Sequence, residues 1–272
     1  GHEYYGPWYD KIDTKIIIWV HKGSEIVSGP CSALYGPVDE FQIPLGYNEV
    51  KPGGLFIKIG VGVLKRGEEN YNQYQPYEVV NSGKWLYKTS KNSVEFSQDL
   101  SETGLGYSYI YKKVVRLEKG KPEMVIEHCL KNTGTLPVSS NVYNHNFIVL
   151  DKQAPGPEFT FKVPYQIQAS QLPDKELAFV SGNHIVYRKE LSGEDEAVVI
   201  YNGSGNDLKN TEIIIENNKA GAGIQISANR PITKNLLWSI RSVIAIEPFI
   251  AVDIQPGSEF TWNNVFRYYT LD

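Results

Sequence analysis

Met124-Val125-Ile126-Glu127-His128-Cys129-Leu130-Lys131-Asn132-Thr133-Gly134 is the stretch whose reading decides the fold. It is a strand-length run, rich in aliphatic residues, that stops at an Asn-Thr-Gly turn signal. Just before it, Tyr107 to Leu117 alternates aromatic, small and charged residues over the length of a long strand. The Lys119-Gly120-Lys121-Pro122 segment between the two reads as a hairpin turn. Just after it, Val138 to Leu150 begins another strand. The first two strands therefore read as a hairpin, and the third follows after a short turn.

The same texture extends both ways. Lys15 to Val20 is a β-branched run bounded by Asp13 and Gly23. Further strands are expected at Phe159–Val163, His184–Lys189, Ala197–Tyr201, Glu212–Ile215, Gly223–Ser227, Val243–Ile246 and Glu259–Tyr269. No window carries a sustained helical stripe with its caps; a short helix within Gln171 to Phe179 is the one helical expectation. Many strands with turn signals every ten or so residues imply an all-β sandwich or barrel. No repeat, low-complexity tract or linker divides residues 1–272, which are read as one domain. The Gly- and Pro-rich segment from Gly29 to Gly62 breaks the pattern. It is either a functional loop or an edge excursion that covers an open sheet.

Composition narrows the function. Hydrophobic residues are 41% and charged residues 21%, values of a globular chain with a core. A net charge of −4 with both signs interspersed lacks the basic stripe of a nucleic-acid binder. No apolar run approaches the ~20 residues that span a bilayer, so neither nucleic acid nor membrane is an expected partner. Cys31 and Cys129 are too far apart for a paired zinc motif; they form either one bridge or two core thiols. The five histidines lack metal-ligand spacing, so no metal is expected. The chain opens at Gly1. A removed export signal would account for that, making a periplasmic or secreted location the expectation and a cytoplasmic one the alternative. The 18 Tyr and 5 Trp suit both a β core and stacking on sugar rings.

Two segments, taken in order, resemble the galactose mutarotase-like (aldose 1-epimerase-like) superfamily. In the first, the strand ending at Asn132-Thr133-Gly134 is followed by a crossing strand with Tyr143-Asn144-His145-Asn146-Phe147. In the second, Ala245-Ile246-Glu247-Pro248 is followed by Gln255-Pro256-Gly257-Ser258-Glu259 and Trp262, similar to the family's C-terminal acidic strand and turn. The resemblance implies a large antiparallel β-supersandwich with a sugar bound across one sheet, turned over without a cofactor. It places His145 at the family's catalytic acid and Glu247 at its base.

The residues suit that chemistry. Mutarotation needs a base for the anomeric hydroxyl and an acid for the ring oxygen, and carboxylate and imidazolium fill those roles near neutral pH. Taken without the resemblance, His145 reads as a hydrogen-bonded strand residue. A carboxylate at Glu247, between Ile246 and Pro248 in an apolar run, needs either a partner or a task. Arg241, of the same parity, is the candidate partner, or else a ligand for a sugar hydroxyl. Lys65 and Arg66, after Lys58-Ile59-Gly60-Val61-Gly62, resemble the family's early basic strand. Asn144, Tyr74, Tyr77 and Trp85 complete the substrate-binding candidates, with Trp238 a further stacking candidate and each aromatic also a core candidate. One departure stands out: many mutarotases carry a second active-site His, yet no His lies between Arg66 and Trp85. The two main expectations are an aldose 1-epimerase-type isomerase of a small free carbohydrate, and a non-catalytic carbohydrate-binding protein on the same fold. A third, an accessory domain of a lyase or hydrolase, is disfavoured by the compact length.

Overall fold

A computed structural model of the protein describes residues 37–271 apart from Tyr74 and Asn206. The six-stranded sheet runs in the order β1 (Val38–Phe41), β9 (Val138–Ile148), β18 (Val243–Ile254), β17 (Lys234–Ile240), β14 (Glu196–Asn202) and β11 (Ala169–Gln171). The ten-stranded sheet runs β12 (Ala178–Ser181), β13 (His184–Tyr187), β10 (Phe159–Lys162), β15 (Ile213–Asn217), β16 (Ala222–Ala228), β19 (Glu259–Thr270), β8 (Glu123–Asn132), β7 (Tyr109–Leu117), β6 (Ser93–Leu100) and β5 (Lys84–Thr89). A small third sheet joins β2 (Leu55–Lys58), β3 (Gly62–Lys65) and β4 (Val79–Asn81). Every pairing among them is antiparallel.

The hairpin at the heart of the sequence reading is present, with Leu117 paired to Met124 across the Gly120 turn. Asn132-Thr133-Gly134 ends β8 for a local reason. The buried Asn132 amide donates to the carbonyls of Leu136 (2.8 Å) and Ile254 (2.9 Å), and its oxygen accepts from the Gly134 N–H at 3.0 Å. The motif ties the strand end to β18 of the opposite sheet.

The core fills the space between the two large sheets. Period-two alternation sends Val138, Val142 and Ile148 of β9, and Ile246, Ile250 and Ile254 of β18, into that space. They meet Tyr109, Ile126, Leu130, Trp262 and Phe266 from the ten-stranded sheet.

The segment from Gly29 to Gly62 is an edge excursion over its described part. It supplies β1 to the edge of the six-stranded sheet, then β2 and the start of β3. Gly62 is obligatory there, because at φ +146° a Cβ would lie 2.2 Å from the Asn81 carbonyl oxygen. No helix forms in Gln171 to Phe179, where β11 passes through a turn into β12. The Lys15–Val20 strand, Cys31 and Tyr74 lie outside the described residues. Cys129 is a free, half-buried thiol on β8, facing Glu259 rather than the core. Among the described residues no helix is long and apolar enough to cross a membrane.

Candidate functional site

On β9 the even residues face the core, so the odd ones, Tyr143, His145 and Phe147, stand on the outer face of the six-stranded sheet. On β18 the odd residues Ala245, Glu247 and Phe249 share that face. The pairings Ile246↔Asn146 and Phe249↔Tyr143 bracket Glu247 and His145 and set them opposite each other. The side chains meet: His145 Nε2 lies 3.0 Å from Glu247 Oε1. Both are recessed, with side-chain exposures of 15% for His145 and 8% for Glu247. A carboxylate and an imidazole in contact can exchange a proton with each other or with a hydroxyl placed against them.

Aromatic rings fix the imidazole. Phe147 stacks on it at 3.9 Å between centroids, and Tyr143 and Trp238 approach at 6.3 Å and 6.4 Å. Trp238 arrives from β17, paired with Ala245, and its Nε1 donates to Glu196 at 2.6 Å. Leu236 pairs with Glu247, and Lys234 pairs with Phe249 and holds its ammonium 4.1 Å from that ring's centre. At the β1 edge, Val38 pairs with His145 and Glu40 with Tyr143. Glu40 is buried and accepts from Lys58 at 2.6 Å, and Lys58 also donates to the Tyr71 hydroxyl at 2.9 Å.

The opposite face of the same strands carries a second polar cluster that the sequence reading missed. Asp39 of β1 pairs with Asn144 and points between the sheets. Its carboxylate receives Tyr111 (2.8 Å), Lys113 (2.7 Å), His128 (3.1 Å) and the Asn144 amide. Burial alone would raise its pKa, but Lys113 and His128 outweigh that and hold the carboxyl well below the usual carboxylate range. Burial, and then the Asp39 charge, push the Tyr111 hydroxyl well above the ordinary phenol value. Trp262 stacks on His128 at 4.5 Å and 2°. Asn264 donates to Asn144. An acidic residue followed two positions later by an aromatic in a Gly- and Pro-rich segment offers no signal of this cluster.

The other expected site residues go elsewhere. Asn144 faces the core and serves Asp39, not the His145–Glu247 pair. Arg241 does not neutralise Glu247; at the β17–β18 turn it donates to the Gly193 carbonyl at 2.6 Å. Arg66 donates to the carbonyls of Tyr47 (2.8 Å) and Val50, and Lys65 lies 3.5 Å from Glu78 at the surface. Tyr77 is buried in the small core of the three-stranded sheet with Tyr47, Phe56 and Tyr71, and Trp85 sits on β5 of the other large sheet. Among the described residues, Trp238 is the expected stacking residue that reaches the pair's face. His128 binds Asp39 and stacks on Trp262 between the sheets, away from the His145–Glu247 face. Among the described residues no cluster of His, Cys, Asp and Glu is arranged to hold a metal ion.

The sequence matches no family model and no curated protein. Solved structures do match. A putative aldose 1-epimerase from Escherichia coli aligns over 92% of this chain and 88% of its own, with 13% identity and a TM-score of 0.53. A galactose mutarotase-like protein from Clostridium acetobutylicum aligns over 88% and 81%, with 12% identity and a TM-score of 0.53. A third, from Lactobacillus casei, aligns over 86% and 85%, with 11% identity and a TM-score of 0.51. The chain has the galactose mutarotase-like fold. The resemblance read from its two motifs is therefore sound for architecture. At such identities a galactose mutarotase-like fold carries no activity with it, and function has to be argued from the pair itself.

Proposed function

We propose that this protein is an aldose 1-epimerase-type isomerase that interconverts the anomers of a free sugar, with Glu247 as base and His145 as acid. The observation that carries the reading is the 3.0 Å contact between His145 Nε2 and Glu247 Oε1, made across adjacent strands on one sheet face. In this mechanism the Glu247 carboxylate takes the proton of the anomeric hydroxyl while the His145 imidazolium protonates the ring oxygen. The C1–O5 bond breaks and C1 becomes an aldehyde. Rotation about C1–C2 and reversal of both transfers close the ring on the other face, and both residues return to their starting states. Proton count and charge balance without a cofactor. The recessed setting supports the reading, because electrostatic and hydrogen-bonding effects strengthen where water is scarce.

Anomer exchange measured by NMR across a panel of aldoses tests it. Catalysed exchange on at least one sugar, falling by about 10²–10⁴-fold in Glu247→Gln, is the expected result. Exchange no faster than the buffer control on every sugar would sink the isomerase. The shallow exposure of both side chains favours one second reading, a carbohydrate-binding protein without turnover. Saturable line broadening of a sugar that shows no exchange would identify it.

A further inference from the structure

Among the described residues, the cations on or beside the site face are nearly all spoken for. Lys58 is held by Glu40 and Tyr71, Arg66 by the Tyr47 and Val50 carbonyls, and Arg241 by the Gly193 carbonyl. Lys234 differs. Its ammonium lies 4.1 Å from the centre of the Phe249 ring, and no carboxylate among the described residues lies within ion-pairing distance of it. It stands on the same face as Glu247, since it pairs with Phe249 while Leu236 pairs with Glu247. Diagonal neighbours of this kind are about 7–8 Å apart at the backbone, within reach of a long side chain. Phe249 in turn leans on Tyr143 at 4.4 Å, and Tyr143 neighbours His145 at 6.3 Å. Lys234 is therefore a diagonal neighbour of Glu247 on the face that carries the acid–base pair.

The charges of this face fix what it would take. Glu40 cancels Lys58, and Glu247 cancels His145 when the imidazole is protonated. Glu196 is exposed and lies on the far side of Trp238 from Lys234, hydrogen-bonded to the indole. Among the described residues, Lys234 is then the cation left beside the pair, with Glu196 beyond Trp238 and Asp253 four residues past Phe249 along β18 as the outlying carboxylates. Resting on the isomerase reading, we infer that Lys234 is a specificity-determining residue and that the substrate is a uronic acid whose carboxylate meets it. A single ammonium matches a monoanionic carboxylate; a phosphate, with nearly two charges and three acceptor oxygens, calls for more donors than this face supplies. An ammonium–carboxylate contact also survives the replacement of one sugar epimer by another, so the anion selects more strongly than any single hydroxyl.

Anomer exchange of glucuronate and galacturonate, of glucose and galactose, and of glucose 6-phosphate, by the wild type, Lys234→Met and Glu247→Gln, tests the inference. Met keeps the apolar stem over Phe249 and removes the charge. The expected result is the highest kcat/KM on a uronate. In Lys234→Met that value falls at least tenfold through KM, and by at least tenfold more than for the matching neutral sugar. Added salt raises the uronate KM of the wild type more than that of the variant. A neutral sugar or the phosphate exchanged as fast as the uronates overturns the inference, as does an equal loss on charged and neutral sugars in Lys234→Met. If neutral sugars exchange and Glu247→Gln abolishes it while uronates do not, only this inference falls. If the wild type exchanges none of the five, this inference falls, and the isomerase reading falls with it when the wider panel of aldoses is silent too.

Discussion

Replacing Asp39 by Asn should destabilise the protein by about 3 kcal/mol at neutral pH without disturbing the shape of the core. The carboxylate accepts from Tyr111, Lys113, His128 and Asn144, which uses all of its roughly four lone-pair sites. An amide of the same outline turns one acceptor oxygen into a donor and leaves the Lys113 charge without its partner. Breaking a buried ion pair from one side costs about 3–5 kcal/mol; the Lys113 side chain is 16% exposed, which places the cost at the lower end. Urea unfolding followed by tryptophan fluorescence and circular dichroism measures it, with Trp262, stacked on His128, as a local reporter. The pH dependence has a definite sign. Asp39 is held below the ordinary aspartate value of 3.8 in the folded state, so its contribution is present above that value. It is lost as pH falls toward the lower folded value, because the unfolded chain then binds the extra proton. The stability gap between wild type and variant should therefore narrow below pH about 4, by roughly 1.4 kcal/mol one unit under the unfolded value. A gap below 1 kcal/mol at neutral pH, or one that widens under pH about 4, would refute the reasoning. Should Asp39→Asn fail to fold, Tyr111→Phe removes one donor to the charge and should cost about 1.5–3 kcal/mol.

Asn132→Ala strips three hydrogen bonds from a buried turn and should cost about 3 kcal/mol in urea unfolding, since two carbonyls and one N–H lose their partner together. Gly62→Ala should lower the melting temperature by several degrees through its collision with the Asn81 carbonyl; an unchanged melting temperature would mean that the β3–β4 approach is misplaced. Arg241→Ala should change stability by less than about 0.5 kcal/mol and leave anomer exchange as it was, because the guanidinium serves a turn carbonyl. A loss of exchange there would restore Arg241 to the substrate.

The long, turn-bounded strands were legible in the sequence because their apolar period matched the sheet. β7, β8, β9 and β19 fall within about two residues of their expected ends. β17 went unread for a physical reason: its core-facing residues are Asn235, Leu237 and Ser239, while Leu236 and Trp238 face outward, so polarity does not mark the buried side. β5 was missed because Lys84 to Thr89 is exposed along nearly all its length. β18 runs on to Ile254, eight residues past its expected end, straight through Glu247 and Pro248. Of the candidate site, His145 and Glu247 came from their place in two ordered motifs. Which side chains meet across a sheet depends on register, and neither Lys234 nor Asp39 advertises its neighbours along the chain. The aromatic candidates Tyr77 and Trp85 went to a small core and to the other large sheet.

The centre of β9 and β18 is where local sequence preference is set aside, and that is an argument for its being the working part of the sheet. Pro248 has no N–H to give to either neighbour, yet it sits in a strand paired on both sides, where proline is normally absent. Asn144 and Asn146 take inward positions that neighbouring rows give to Val142 and Ile148. Each inward amide is put to structural use. Asn146 donates to the Ile246 carbonyl at 2.9 Å, one residue from Glu247, and Asn144 binds Asp39, one residue from His145. The outward pair is thus backed by inward polar contacts that hold β1, β9 and β18 in register. A purely apolar core row would seal the sandwich with less polar burial, but it would leave the His145–Glu247 geometry to the backbone ladder, which has already lost a bond at Pro248. Departures concentrated in one row of a central sheet are expected where rigidity serves chemistry rather than stability.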